Sequence, residues 1–359
     1  MIDPVLAAWG LDARIVAAAG ELSRRVAAPL HARSGTLLAR VISEDRLGYE
    51  LITARGELRA VLPGRMRRAA AAGEIDRPSV GDWIVVEDRP GVDGLPVLGV
   101  VPRRTKLSRK ASGREAVEQI VGANVDVAFL VTALDGDFSA RRLERYRAVC
   151  EEGGVKPVVV VTKIDRVADT ADAVAEVHRA LPGVPLVLVS NVTGAGLDAL
   201  DAWLTPGLTV AALGSSGVGK STLINRWIDA PQATRALDAH GLGRHTTTAR
   251  ALFRTAKGAL LMDTPGMREL ALWEADGGLR TTFAELEAVA ARCKFRDCSH
   301  QGEPGCAIQA ALDEGTIAGD RVDAWSKLRG ELAGTDRRTR RAERTLSRAV
   351  RAVSKDKRR

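Results

Sequence analysis

The stretch "LTVAALGSSGVGKSTLINRW", residues 208–227, decides the fold. An apolar segment leads into a glycine-rich loop and then into an amphipathic segment, which predicts a strand, a loop and a helix. The loop from Gly214 to Ser221 fits the phosphate-binding pattern G-x-x-x-x-G-K-[ST] completely. Its glycines let the backbone wrap closely around phosphates, and the helix N-terminus adds partial positive charge. The stretch therefore predicts nucleotide binding by an α/β domain.

Two side chains of this loop have separate predicted roles. Lys220 is expected at the β- and γ-phosphates, and the Ser221 hydroxyl is expected to ligate Mg²⁺. The residues predicted to contact the nucleotide here are Gly214, Ser215, Ser216, Gly217, Val218, Gly219, Lys220, Ser221 and Thr222.

Two later segments have the character of nucleotide switches. "LLMDTPG", residues 260–266, ends an apolar strand, so Asp263 is expected to hold Mg²⁺ through water and the Gly266 amide to reach a γ-phosphate. "GLGRHTTTAR", residues 241–250, contains Thr246, Thr247 and Thr248, any one of which could cap the Mg²⁺; Thr247 is taken as the candidate. His245 is the candidate to approach the attacking water. A single histidine in such a segment is also compatible with a surface or capping role.

An earlier stretch, "VVVVTKID" at 158–165, reads as a buried strand followed by a guanine-reading loop. Asp165 would accept two hydrogen bonds from guanine, and the stem of Lys163 would cover the base. Adenine has no donors at those positions and would leave a buried carboxylate unpaired, which is costly. The signature comprises Thr162, Lys163, Ile164 and Asp165, and Ser190 and Asn191 of "VSNVTGAGL" are expected near the base.

The order of these motifs along the chain is unusual. Both base-reading loops precede the phosphate loop, whereas in most GTPases they follow it. Whole βα units can be reordered without breaking a parallel sheet when the original termini are adjacent. The sequence therefore predicts a circularly permuted GTPase domain, assigned to residues 104–275, with residues 104–124 as a basic linker at its start.

The segments around this domain differ in pattern. Residues 1–34 read as short helical pieces, and residues 35–103 alternate apolar and polar positions between turn signals. Short strands spaced in this way favour a small β-barrel of the oligonucleotide-binding (OB) type, although any small β-domain would fit. Residues 276–336 read as mostly helical. The predicted fold class is thus multidomain, with an OB-type barrel, a permuted α/β GTPase domain and a C-terminal, mostly helical zinc-binding domain.

The zinc prediction rests on "CKFRDCSHQGEPGC", residues 293–306. Its four ligands, Cys293, Cys298, His300 and Cys306, form a closed set of the kind that holds a structural Zn²⁺, one per chain. Scattered cysteines with a surface histidine are the alternative.

Charge and composition limit the function classes. The net charge is +8, but residues 337–359 hold eleven Lys or Arg against two acidic residues. This basic tail is either a solvated end or an arm that neutralises nucleic-acid phosphates. Four cysteines are too few for a disulfide framework, and the N-terminus lacks the pattern of a signal peptide. We expect a cytoplasmic protein without membrane contact.

Taken together, the chain resembles the ribosome small subunit-dependent GTPase A family of circularly permuted bacterial GTPases. The resemblance is carried by "VGDW", "ANVD", "LDGDFSARRLERY", "TKID", "GSSGVGKST", "GRHTTT", "DTPGMREL" and the spaced cysteines and histidine. It implies late maturation of the small ribosomal subunit, contacts with the subunit and its rRNA, and GTP hydrolysis to GDP and phosphate that the subunit stimulates. We expect a monomer that uses Mg²⁺ with GTP.

The chain departs from the family pattern in its guanine loops. Thr162 stands where Asn is commonest, and that Asn ordinarily braces the phosphate loop; "SNV" replaces the commoner Ser-Ala. Two other functions compete with the leading one. One is an RNA-binding module whose nucleotide site is mainly a conformational latch, against which the intact switch residues argue. The other is an ATPase of the same fold, against which Asp165 argues.

Overall fold

A computed structural model of the chain describes residues 2–27, 35–89, 91–110, 118–228, 250–263 and 276–330. The strands are β1 (Gly35–Glu44), β2 (Tyr49–Thr53), β3 (Gly56–Val61), β4 (Trp83–Asp88), β5 (Leu95–Val100), β6 (Lys106–Lys110), β7 (Glu118–Ala123), β8 (Val127–Ala133), β9 (Lys156–Thr162), β10 (Leu186–Leu188), β11 (Thr209–Leu213), β12 (Ala251–Arg254) and β13 (Leu260–Asp263).

The helices are α1 (Pro4–Ala7), α2 (Ala13–Ala27), α3 (Gly64–Ala71), α4 (Ala140–Glu152), α5 (Ala171–Ala180), α6 (Asp198–Asp201), α7 (Lys220–Trp227), α8 (Asp276–Thr282), α9 (Ala284–Ala290), α10 (Ala307–Asp313) and α11 (residues 319–330). A short 3₁₀ turn covers Ile164–Arg166. Within the described ranges, none of these helices combines the length and apolarity of a membrane span.

The first five strands close into a barrel, as the alternating pattern predicts. Their order is β1-β2-β3-β5-β4. Strand β4 also pairs with β1, with Gly35 opposite Asp88 and Arg40 opposite Trp83, and this pairing closes the barrel. Alternate residues such as Val41, Leu51 and Val86 are fully buried inside it. Helices α1 and α2 cover the opposite face of β4, where they bury Trp83 and Val85. An arginine-rich segment after β3 forms helix α3.

The predicted α/β sheet has the order β10-β9-β8-β11-β13-β12. Its first five strands are parallel, and their near-continuous Val, Ala and Leu runs suit a sheet buried on both faces. Helices α4 and α5 contribute to the core on one face, and α6 and α7 contribute to the core on the other. The last strand, β12, is antiparallel to β13, which the βα pattern did not predict.

The prediction of a basic linker at 104–124 is wrong. The described parts of this segment form the antiparallel pair β6–β7, with Lys106 opposite Ala123. Leu107, Val121 and Ala123 of this pair are buried, whereas Lys106, Arg109 and Glu118 are partly exposed. The high charge concealed a half-buried strand pattern.

The barrel and the α/β sheet are joined. Ser43 of β1 pairs with Ala251 of β12, so the two form one continuous hydrogen-bonded sheet. Arg40, which is 1% exposed, donates to the carbonyls of Trp9 and Gly81 and to the Thr209 hydroxyl at 2.8 Å. Burial lowers the pKa of Arg40 to about 10. Its contacts connect the N-terminal helices, the barrel and strand β11.

The C-terminal helices pack on α4. A Cβ at Gly278 of α8 would overlap the carbonyl oxygen of Ala148, so the two helix backbones touch at this glycine. Buried Arg321 of α11 pairs with Glu144 of α4 and with Glu285 of α9. The structure confirms the predicted fold class of barrel, α/β sheet and C-terminal helices, while the predicted domain boundaries stay predictions. Residues 337–359, the basic tail, lie outside the described residues.

Candidate functional site: a guanine nucleotide site and a metal cluster

The phosphate loop lies between β11, which ends at Leu213, and α7, which begins at Lys220. Gly217 and Gly219 have φ values of 83° and 98°, a region that favours glycine over any residue with a Cβ. The Lys220 ammonium donates to the carbonyl oxygens of Gly214, at 2.8 Å, and of Ser215. The lysine at the end of the loop therefore bridges back to its beginning and closes it.

The first guanine loop follows β9. Lys163 adopts a left-handed conformation with φ 59°, and its ammonium pairs with Asp135 at the end of neighbouring β8. This hydrogen bond from Lys163 lowers the pKa of Asp135. The ion pair fixes the Lys163 side chain against the end of the neighbouring strand, and its role in covering a base stays a prediction.

The second guanine loop contacts the first through its serine. The Ser190 hydroxyl donates to the Asp165 carboxylate, while its oxygen accepts from the amides of Val192 at 3.2 Å and Thr193 at 3.1 Å. Ser190 is fully buried. The Asp165 carboxylate is therefore oriented by a residue of the other predicted guanine loop.

Both guanine loops also contact the phosphate loop. The Thr162 hydroxyl donates to the Val218 carbonyl at 2.6 Å and lies 3.1 Å from the Thr132 carbonyl. A hydroxyl has one proton to donate, so the hydrogen bond is assigned to the shorter contact, with Val218. The Asn191 amide donates to the Gly219 carbonyl at 3.3 Å. The sequence-predicted nucleotide residues are thereby brought together at one edge of the sheet.

One contact of the phosphate loop escaped the sequence reading. Arg142 of α4 donates to the Ser215 hydroxyl and, at 2.8 Å, to Asp137. The available signal was topological: β8 pairs in parallel with β11, so the segment after β8 begins beside the phosphate loop.

The described switch residue is Asp263, the last residue of β13. Met262 is level with Ala211 of β11, which places Asp263 at the same edge of the sheet as the phosphate loop. The other predicted catalytic residues, His245, Thr247 and Gly266, lie outside the described residues. Their roles stay predictions.

The predicted metal ligands come together among the C-terminal helices. One donor atom each of Cys293, Cys298, His300 and Cys306 lies within 4.8 Å of the others. His300 Nδ1 is 3.5 Å from Cys293 Sγ and 3.6 Å from Cys306 Sγ, so this nitrogen faces the cluster. Burial, and then the nearby charge of Arg329, lower the pKa of His300, which favours the neutral imidazole that a metal needs. Three sulfurs and one imidazole fit a closed tetrahedral site.

Comparison with known proteins agrees with this geometry. A sequence profile of the RsgA GTPase family matches residues 100–273. A small ribosomal subunit biogenesis GTPase RsgA from Opitutus terrae is 46% identical over 313 residues, which cover 84% of this chain and 85% of that protein.

The chain belongs to the RsgA GTPase family.

Solved structures extend the RsgA comparison to the fold. YjeQ from Thermotoga maritima is 25% identical, with a TM-score of 0.60 over 83% of this chain and 99% of that one. YloQ, described as a circularly permuted GTPase, is 24% identical, with a TM-score of 0.55 over 86% of this chain and 98% of that one. The predicted resemblance is confirmed, and the motif order of this chain matches a permuted GTPase fold.

Proposed function

We propose that this chain is a GTPase that binds the small ribosomal subunit and its rRNA, assists late maturation of that subunit, and hydrolyses GTP to GDP and phosphate with stimulation by the subunit. The observation that carries the proposal is that the segments which hold and orient Asp165 are hydrogen-bonded to the phosphate loop. Ser190 orients Asp165, and Thr162 and Asn191 tie the same two guanine loops to Val218 and Gly219.

Asp165 accepts the two donors of guanine, while Lys163 covers the base. The loop from Gly214 to Thr222 surrounds the phosphates with backbone amides, and Lys220 adds a full charge. Ser221 and Asp263 are the residues that would hold Mg²⁺, which when bound would supply positive charge at the phosphates. The Cys293, Cys298, His300 and Cys306 cluster holds one structural Zn²⁺ per chain. The protein acts as a cytoplasmic monomer.

We expect the free protein to hydrolyse GTP slowly because of Met267, the residue after "DTPG". Met267 stands where many GTPases carry a Gln that orients the attacking water, and a methionine cannot do so. When the subunit is bound, His245 orients the water. We expect His245→Ala to remove most of the stimulated hydrolysis and to leave GDP affinity nearly unchanged. Full stimulated activity in that variant would overturn this role of His245 alone.

Direct titration of nucleotides tests the site itself. GTP and GDP should bind on the order of 10⁴-fold more tightly than ATP, because a site built to pair with donors rejects a base that lacks them. Comparable affinities for ATP and GTP would overturn the assignment of Asp165 and favour an ATPase. Binding to small subunits in the GTP state without turnover would favour a conformational latch.

A further inference from the structure

Two neighbouring carbonyls of the phosphate loop are held from outside the loop. The Val218 carbonyl accepts from Thr162 at 2.6 Å, and the Gly219 carbonyl accepts from Asn191 at 3.3 Å in addition to the helical hydrogen bond from the Leu223 N–H at 3.0 Å. The two donors come from different segments: Thr162 is the last residue of β9, and Asn191 lies in the loop after β10. Val218 and Thr162 are fully buried, so this part of the loop is enclosed.

The planarity of the peptide bond converts these contacts into an orientation of two donors. In a trans peptide the carbonyl oxygen and the following N–H point in opposite directions. Holding the Val218 oxygen on Thr162 therefore turns the Gly219 N–H away from the guanine loops. The Gly219 oxygen is held by two donors, the Leu223 N–H of the first turn of α7 and the Asn191 amide, and together they turn the Lys220 N–H in the same way. Consecutive amides at a helix N-terminus are the groups that bind phosphate.

The contact at Gly219 is close as well as polar. A Cβ added to Gly219 would lie 2.7 Å from the Asn191 amide nitrogen, and φ at this residue is 98°. Asn191 therefore packs directly against the glycine backbone. Its amide oxygen is buried without a hydrogen-bond partner among the described residues, so the side chain is held through its nitrogen.

We propose that Asn191 is a positioning residue for phosphate binding: it supplies, from the second guanine loop, part of the bracing that a guanine signature with Asn at position 162 would supply from the first. The Thr162 hydroxyl has a single proton to donate, and its shortest contact is with the Val218 carbonyl at 2.6 Å. Asn191 takes Gly219. The two departures of this chain from the common pattern thus compensate for each other.

The same dipeptide links recognition of the base to recognition of the phosphates. Ser190 bonds to the Asp165 carboxylate, and the next residue, Asn191, bonds to the phosphate loop. A base that engages Asp165 therefore fixes the loop which aims the Lys220 amide. This inference rests on the proposed function in one respect, namely that the site takes a guanine nucleotide.

The test is GDP affinity in the full chain with Mg²⁺ present. Removing one neutral hydrogen bond should weaken GDP binding about two- to tenfold in Asn191→Ala. Asn191→Asp keeps the shape but turns an acceptor toward the Gly219 carbonyl, so its loss should be larger. Asn225→Ala is the matched control, because Asn225 is exposed on α7, and it should bind GDP as the natural chain does.

The decisive variant restores a hydrogen-bond donor to the phosphate loop at position 162. Thr162→Asn in the Asn191→Ala background should recover most of the lost affinity. KM for GTP should rise with the GDP dissociation constant while kcat changes little, because the brace acts alike on ground state and transition state. Unchanged GDP affinity in both Asn191 variants, or no recovery in the double variant, would overturn the proposal. If the natural chain itself fails to bind GDP, the proposed function is what fails.

Discussion

Arg321→Met tests how the C-terminal helices are attached to the GTPase domain. The Arg321 guanidinium pairs with Glu144, donates to the carbonyls of Ala180 at 3.1 Å and Thr282 at 3.2 Å, and lies 4.4 Å from the Phe283 ring centroid. Glu144 is 3% exposed. Removing one partner of a buried ion pair strands the other, at a cost of about 3–5 kcal/mol in the free energy of unfolding.

The pH dependence of this cost has a defined sign. Burial raises the pKa of Glu144 even with Arg321 present. The folded state therefore binds the Glu144 proton more tightly than the unfolded state, and stability from this group falls as pH rises through the folded-state pKa. Loss of Arg321 raises that pKa further. The destabilisation by Arg321→Met should therefore shrink as the pH falls from about 8 toward the unfolded glutamate pKa of about 4.3.

Urea unfolding followed by tryptophan fluorescence, with zinc present, measures the effect, because Trp325 lies on the same helix as Arg321 and is fully buried. Adding Glu144→Leu should recover most of the loss, since an apolar pair replaces a stranded charge. Arg59→Met is the control: its ion pair with Asp45 is partly exposed and should contribute about 0–1 kcal/mol. An Arg321→Met cost no larger than that of the control would refute the reasoning.

Three further predictions concern the nucleotide, the metal and the tail. Asp165→Asn should lose the preference for guanine and favour xanthine, which competition titration would reveal; an unchanged guanine preference would show that another group reads the base. Freshly purified protein should hold about one zinc per chain by elemental analysis, and Cys298→Ala should loosen residues 290–310 in hydrogen exchange while GDP still binds; protein without zinc contradicts this. Deleting residues 337–359 removes a net charge of +9, so RNA binding should weaken and its dependence on salt should become shallower. If the salt dependence of RNA binding is the same with and without residues 337–359, this tail contacts no phosphate and is a solvated end.

Local patterns predicted much of the fold. The phosphate loop, the guanine signature and the cysteine cluster are each contiguous in sequence, so spacing alone indicates their chemistry. The barrel was predictable because its strands alternate apolar and polar residues at a period of two.

Contacts between distant segments were not predictable in this way. Arg142 and Ser215 are 73 residues apart, and the pairing of Arg321 with Glu144 spans 177. The pairing of β12 with β1 depends on which strands lie at the edges of the α/β sheet and of the barrel once each has folded. In β6–β7, charged side chains on the exposed face hid the apolar positions beneath them. The Asn191 contact required both the loop conformation of Gly219 and the approach of β10 to β9.

Hydrolysis of GTP and of ATP, each with and without purified small ribosomal subunits, tests the central claim most directly. We expect slow GTP hydrolysis by the free chain, strong stimulation by the subunits, and no comparable hydrolysis of ATP in either case. Rapid GTP hydrolysis by the free chain that subunits do not increase, or equal hydrolysis of ATP, would contradict a guanine-specific GTPase activated by the small subunit.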